Sequence, residues 1–308
     1  MNPPKVFVTG ATGFVGRAVV ARLRLAGCPV CILARQPGSA PVRDLVSRFG
    51  VEVRQGDVTA PESLPPAMTG AQAIIHLVGI ISEVRRVTFE RLHTEATRHV
   101  VRAAQTTGIR RLVHMSALGT RPNAASRYHQ TKWAAEEIVR HSGLDWTIFR
   151  PSLIYGPEDH LVNLFATLIR RLPVVPVLGG GQTRFQPVAV ERVAEAFAGA
   201  LTRKEAVGQT FDLCGPERMT MRELLEQVMA AMGRRRLLVR VPAPLARLQA
   251  ATLEFLFPRL LGKAPPLNRD QLIMLGEDNT GDAAKADALF GLQHRKFRDG
   301  LAAYTSIP

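Results

Sequence analysis

Tyr128 and Lys132 stand four residues apart in Tyr128-His129-Gln130-Thr131-Lys132, a stretch with helical patterning, so both fall on one helix face. An ammonium beside a phenol favours the phenolate, which is expected to lower the tyrosine pKa towards the working range for proton transfer to or from a carbonyl oxygen. Ser116, twelve residues before Tyr128 and just past an apolar strand, is placed to donate a hydrogen bond to the same oxygen. Together the three make an acid/base set for carbonyl chemistry, or a face retained only to hold a nicotinamide ribose.

Carbonyl chemistry of this kind needs a hydride carrier. Gly10-Ala11-Thr12-Gly13-Phe14-Val15-Gly16 follows the apolar segment Val6-Phe7-Val8 and leads into a helix. Glycines there allow backbone angles and a close approach that a Cβ would block, and a helix N-terminus presents free amides to a pyrophosphate. Placed between a strand and a helix, the Gly-x-x-Gly-x-x-Gly turn is a dinucleotide signature. The second strand ends at Arg35, nineteen residues beyond Gly16. A carboxylate at that point selects the ribose 2′-hydroxyl of NAD, whereas arginine pairs with a 2′-phosphate, so NADP(H) is expected over NAD(H).

Arg17 either assists that phosphate or is an exposed helix arginine. Asp57, in Gly56-Asp57-Val58, either accepts from the adenine amino group or serves as a cap or turn residue. The expected cofactor site therefore comprises Gly10, Thr12, Gly13, Phe14, Val15, Gly16, Arg17, Arg35, Asp57, Val58, Leu77, Val78, Gly79, Tyr128, Lys132 and Pro151. No metal site is expected.

The elements that must position these groups alternate along the first half of the chain. Residues 5–9, 29–35, 51–56, 72–79, 111–115 and 144–149 read as strands; 14–26, 88–107 and about 127–142 read as helices, with Gly108 as a stop. This βαβ rhythm predicts an α/β fold, a Rossmann doubly wound parallel sheet covered by helices on both faces. Residues 1–150 are expected to form the NAD(P)-binding domain. After Pro151 the pattern is broken by Pro173, Pro176 and Gly179-Gly180-Gly181, so 151–308 are expected to form a smaller substrate lobe with interleaved Rossmann elements, including helices near 190–202, 219–232 and 243–256.

Three cysteines are too few for a disulfide framework in a chain of 308 residues. Cys28 and Cys31 form a Cys-x-x-Cys at the start of a strand, where odd spacing points the thiols to opposite faces and argues against a redox or metal pair. The net charge of +14 comes from arginine, since six of the forty basic residues are lysines. Such a field attracts phosphorylated cofactors, anionic lipid or nucleic acid, but no nucleic-acid motif accompanies it. The start Met1-Asn2-Pro3-Pro4-Lys5 has no signal-peptide pattern and no apolar run approaches the length of a membrane span, so a cytoplasmic protein, or one peripheral at the inner face of a membrane, is expected.

With Gly10-x-x-Gly13-x-x-Gly16, Ser116, Tyr128-x-x-x-Lys132 and Arg150-Pro151-Ser152-Leu153-Ile154-Tyr155-Gly156-Pro157 in view, the chain resembles the extended short-chain dehydrogenases/reductases, the NAD(P)-dependent epimerase/dehydratase group. The likeness continues through Phe185-Gln186-Pro187-Val188-Ala189-Val190 and Phe211-Asp212-Leu213-Cys214-Gly215-Pro216. Phe185 to Val188, His114-Met115-Ser116-Ala117-Leu118-Gly119 and Asn268-Arg269-Asp270-Gln271-Leu272 resemble the accessory subunit of respiratory complex I and its bacterial relatives. The resemblance implies bound NADP(H), Tyr128 as acid/base, Lys132 anchoring the ribose and lowering the tyrosine pKa, and Ser116 polarising the substrate. The interval from Ser116 to Tyr128 is shorter than in the sugar-nucleotide enzymes, which argues against a UDP-sugar substrate. The resemblance to the mitochondrial relatives implies a nucleotide that serves complex stability, which argues for a structural as against a turning-over cofactor.

Residues 234–262 combine Arg234, Arg235, Arg236 and Arg240 with Leu245, Leu248, Ala251, Leu253, Phe255, Leu256, Phe257, Leu260 and Leu261. This reads as a basic, apolar-faced helix for a membrane surface or membrane protein, or as a lid or core helix of the substrate lobe. Three functions follow: an NADP(H)-dependent oxidoreductase acting on a hydrophobic or quinone-like carbonyl, an accessory or assembly protein of a respiratory membrane complex with structural NADP(H), or a sugar-nucleotide epimerase or dehydratase.

Overall fold

In the computed structural model, which describes residues 3–260, 262, 265 and 267–301, Val6 to Thr9 are wholly buried and form the central strand β1. Around it lie β2 (Val30–Ala34), β3 (Glu52–Gln55), β4 (Ala73–His76), β5 (Arg111–Met115) and β6 (Asp145–Pro151). Every residue of β1, β2 and β4 is buried, as expected for parallel strands covered on both faces. A further strand from the second half of the chain, Gln209–Leu213, pairs parallel with β6 and completes a seven-stranded parallel sheet.

Helices α1 (Phe14–Leu25) and α2 (Ala40–Phe49) cover one face. There Val19, Val20 and Leu23 pack with Val42, Leu45, Val193 and Phe197. Helices α3 (Leu64–Met68), α4 (Ala96–Thr106) and α5 (Arg127–Arg140) cover the other through Leu64, Met68, Val100, Ala104 and Val139. Cys28 joins the first cluster and Cys31 the second, so the two thiols do lie on opposite faces. The chain runs from β1 through β2 to β3 and then returns to place β4 on the other side of β1. That reversal opens a crevice at the carboxyl ends of β1 and β4, where doubly wound sheets bind ligands.

Beyond β6 the chain forms β7 (Ile154–Tyr155), α6 (Leu161–Arg171), β8 (Val174–Leu178), β9 (Arg184–Phe185) and β10 (Val188–Ala189). It re-enters the main sheet through α7 (Val190–Ala200) and β11 (Gln209–Leu213), then adds β12 (Met219–Thr220), α8 (Met221–Ala231), β13 (Leu237–Val241), α9 (Ala243–Leu260), α10 (Arg269–Leu275), α11 (Ala284–Phe290) and α12 (Phe297–Gly300). A separate core of Val162, Phe165, Val175, Leu224, Leu225 and Phe297 holds the second lobe. The two motif segments of that lobe interlock: Gln186 Nε2 donates to the Gly215 carbonyl at 2.8 Å, and a Cβ on Gly215 would collide with the Pro187 carbonyl oxygen.

One sequence expectation is corrected. The basic stretch does not run into its helix: Leu237–Val241 form a strand parallel to β8, and the helix begins at Ala243 and continues to Leu260. Alternating Leu237 and Val239 are β-forming positions, and Pro242 at the junction suits a helix start. Leu261 lies outside the described residues.

Candidate active site

The glycine turn leaves β1 with Gly10 at φ +75°, a left-handed angle, and its Cα packs against the Leu77–Val78 backbone, which a Cβ would meet at 3.0–3.1 Å. A Cβ on Gly16 would strike the Gly10 carbonyl oxygen, so the first turn of α1 can lie this close only as glycine. Gly13 caps α1 in extended backbone without a side-chain acceptor, and no acidic residue stands in the first turn. The amides of Phe14, Val15 and Gly16 are thus left to an external partner, which matches a pyrophosphate. Phe14 sets its ring against Gly156, where a Cβ would come within 3.0 Å.

Arg17 is not free in this turn: Nε donates to the Thr12 carbonyl at 3.1 Å and the guanidinium pairs with Glu158 at 3.0 Å. Arg35 is exposed immediately after β2. Gly56 N donates to the Ala34 carbonyl at 3.1 Å, which brings Arg35 and Asp57 to neighbouring strand ends. Asp57 Oδ1 accepts from the Thr59 amide at 2.8 Å and hydroxyl at 2.9 Å. Val58 is buried beneath α3 and α4, and its carbonyl meets His99 Nδ1 at 2.9 Å.

The other half of the constellation converges from β4, β5 and α5. Lys132 is buried, its Nζ donates to the Met115 carbonyl at 3.0 Å, and a Cβ on Gly79 would lie 3.0 Å from that nitrogen. Ser116, next after Met115, is buried, donates to Thr120 Oγ1 at 3.4 Å and is held through its amide by the Phe149 carbonyl at 2.7 Å. Pro151 ends β6 and accepts from the Leu118 amide at 2.9 Å. Gly10, Leu77, Val78, Gly79, Lys132, Met115 and Ser116 therefore form one continuous wall, while Arg35, Asp57 and Val58 sit at the ends of β2 and β3.

The expected lowering of the Tyr128 pKa is corrected. Burial pushes the phenol up to about 12, while the Lys132 ammonium donates one hydrogen bond to the Met115 carbonyl. Burial also brings Lys132 down to about 8, with Glu136 opposing the fall. Tyr128 is boxed edge-on by Phe89, His93 and His129, with ring centroids 5.9, 5.2 and 5.3 Å away.

His93 was not singled out by sequence reading. It belongs to a π-helical turn at Glu90–Glu95, which interrupts the helix expected over 88–107 and leads into α4. The His93 ring lies against Ile80, whose N–H donates to Nε2 at 3.1 Å, while Nδ1 meets Thr131 Oγ1 at 2.9 Å. Burial and Lys132 push its pKa down to about 2, so the ring is neutral. A chain of neutral groups runs on from it: Thr97 Oγ1 donates to the His93 carbonyl and meets His76 Nε2 at 3.3 Å, and His76 Nδ1 meets Thr9 Oγ1 at 2.7 Å. His114 stacks on His76 at 5.4 Å with neither ring nitrogen partnered.

Asp270 lies in the segment Asn268–Leu272, to which the sequence alone assigns no role. Its carboxylate accepts the Arg127 amide at 2.7 Å and the Tyr128 amide at 3.0 Å, capping the helix that carries Tyr128 and Lys132. Its neighbours complete the seam: Asn268 Nδ2 donates to Ser82 Oγ at 3.0 Å, and Arg269 pairs with Glu254 of α9 at 2.7 Å.

A glycine turn feeding an open helix end at the switch point of this sheet, with Ser116, Tyr128 and Lys132 one strand beyond, defines a dinucleotide-binding Rossmann protein. Comparison with known proteins agrees. Residues 10–166 match the NAD(P)H-binding family model. The chain is 33% identical over 297 residues to the mitochondrial NADH dehydrogenase [ubiquinone] 1 alpha subcomplex subunit 9 of Arabidopsis thaliana, covering 95% of this chain and 72% of that protein. It is 33% identical to a ceramide reductase of Caulobacter vibrioides, covering 78% of this chain and 74% of that protein. A UDP-glucose 4-epimerase structure from Thermotoga maritima superposes with a TM-score of 0.76 over 98% of this chain and 97% of that one, at 18% identity, a likeness of fold alone. The chain belongs to the NAD(P)H-binding family.

Proposed function

We infer that the chain is an NADP(H)-dependent reductase of a hydrophobic or quinone-like carbonyl. The observation that carries this reading is the convergence of the Gly10 turn, Gly79, Lys132 and Ser116 on one wall beside Tyr128. The open first turn of α1 suits a pyrophosphate, and the exposed guanidinium of Arg35 suits a 2′-phosphate. A reduced nicotinamide held there by the Gly10 turn and Lys132 would supply the hydride for the carbonyl carbon. Tyr128, kept protonated at neutral pH by burial, gives its proton to the carbonyl oxygen. Ser116 donates a hydrogen bond to the same oxygen as charge develops on it. Lys132, charged below pH about 8, anchors the ribose and stabilises the phenolate left behind.

A second reading is that of a nucleotide-binding accessory or assembly protein of a respiratory membrane complex. It is favoured by the extent of the similarity to the mitochondrial subunit and by a tyrosine whose pKa lies far from neutrality. One experiment separates them. The gently purified chain is examined for bound nucleotide by mass spectrometry and assayed for NADPH oxidation with long-chain ketones and quinones. Retained NADP(H) with consumption of an acceptor supports the reductase. Retained NADP(H) with none consumed moves the assignment to the accessory protein, and failure to bind either nicotinamide nucleotide contradicts both.

A further inference from the structure

Helix α9 is folded with its apolar side outwards. Ala246 and Ala250 are the buried positions, 3% and 0% exposed, packed with Leu272 of α10 and with Leu178 and Val241 at the ends of β8 and β13. Leu245, Leu248, Phe255 and Leu256 are 58%, 66%, 58% and 40% exposed. With Thr252 between them they fall within about 120° of helix arc, on the side away from the two alanines. The ribbon leading into α9 has the same character. Its parallel register sets Val174 beside Leu237 and Pro176 beside Val239, all exposed, while Val175 and Val177 turn into the core. A helix in a water-facing surface ordinarily shows the reverse polarity.

The charge around this apolar face is one-sided. Residues 234–260 hold six arginines, Arg234, Arg235, Arg236, Arg240, Arg247 and Arg259, against the single acid Glu254, which is already paired with Arg269. Arg259 lies 3.6 Å over the Phe255 ring, holding a guanidinium beside an exposed aromatic. Among the described residues no helix is long and apolar enough to cross a membrane. An apolar strip flanked by arginines fits the plane of a headgroup region, with leucines and phenylalanine sunk below the phosphates and guanidinium groups level with them.

We propose that α9, with the β8–β13 ribbon that leads into it, docks on an anionic phospholipid bilayer. The surface is joined to the candidate active site by two contacts already described: Glu254 of α9 holds Arg269, and the next residue, Asp270, caps the Tyr128 helix. A cleft of about 690 Å3 lies alongside, lined by Arg85, Ala251, Glu254, Phe255, Arg259 and Arg269. Docking would bring this cleft to the lipid surface. The proposal stands whether or not Tyr128 turns over.

The test is vesicle flotation of the full chain with phosphatidylcholine alone and with phosphatidylcholine mixed with phosphatidylglycerol, at low and high salt. The expected result is retention on the anionic vesicles only, weakened by salt, and reduced about tenfold or more in Leu248→Glu/Phe255→Glu. Because both side chains are exposed, the variant keeps its fold, verified by circular dichroism and thermal unfolding. Absence from anionic vesicles overturns the proposal. So does undiminished binding by a folded Leu248→Glu/Phe255→Glu, or full displacement by inorganic phosphate at matched ionic strength, which would mark a simple anion site. Self-association abolished by the double variant, without flotation of the parent chain, would assign the face to a protein contact instead.

Discussion

The carboxylate of Asp270 accepts the backbone amide of Tyr128 at 3.0 Å across 142 positions of sequence. It takes the Arg127 amide as well, and Ser126 accepts the His129 amide at 3.2 Å, so three first-turn amides of α5 are satisfied by side chains. A negative charge at this end also complements the helix dipole. The second lobe thereby fixes where the Tyr128 helix begins.

Asp270→Ala is expected to destabilise the fold by about 1–2 kcal/mol, the usual cost of a lost helix cap, and to lower kcat more than it raises KM. Asp270→Asn retains one acceptor and should lose less on both counts. Denaturant unfolding together with steady-state kinetics checks this. Unaltered stability and unaltered kcat in Asp270→Ala would remove Asp270 from the account.

Cofactor choice rests on Arg35. In Arg35→Glu the NADPH affinity should fall by about tenfold or more, the loss of a charge-assisted contact to phosphate, while NADH affinity stays level or improves. Fluorescence titration of both nucleotides reads the ratio directly. A parent chain that prefers NADH, or an unchanged ratio in the variant, would reverse the assignment to NADP(H).

What could be read from the sequence was local. The glycine turn announces itself because Gly10, Gly13 and Gly16 follow a buried strand and open a helix, and Tyr128 and Lys132 share a face because helical spacing puts them there. What could not be read depends on contacts between distant segments. His93 sits in an ordinary-looking helical stretch, and only a π-helical turn aims it at Tyr128. Asp270 reaches α5 from the far lobe, and β13 finds β8 across more than sixty residues, so neither left a periodic trace nearby. Helix spacing also said nothing of which way Lys132 points. Lys132 donates to the Met115 carbonyl, and the burial of Tyr128 reversed the expected direction of the tyrosine pKa.

The buried histidines make stability sensitive to acid. His76 is held down to about 3 and His93 to about 2, and His114 also lies well below its ordinary value, all chiefly through burial. Depressed folded-state values mean that the unfolded chain binds protons first as pH falls below 6.5. Stability is therefore full above that pH and is lost progressively towards the folded-state values. Between pH 6.5 and about 5 each histidine contributes up to about 2 kcal/mol of loss. Urea unfolding across that interval should show a steep decline, shallower in His76→Asn. A flat profile would mean that these rings are solvated in the folded chain.

The most direct measurement of the central claim compares the parent chain with Tyr128→Phe at saturating NADPH, using the best acceptor found and with NADPH binding measured in parallel. The expected result is NADPH still bound with turnover reduced by about a hundredfold or more, the usual worth of a positioned proton donor. Equal turnover in the two proteins would contradict the assignment of Tyr128 as the acid.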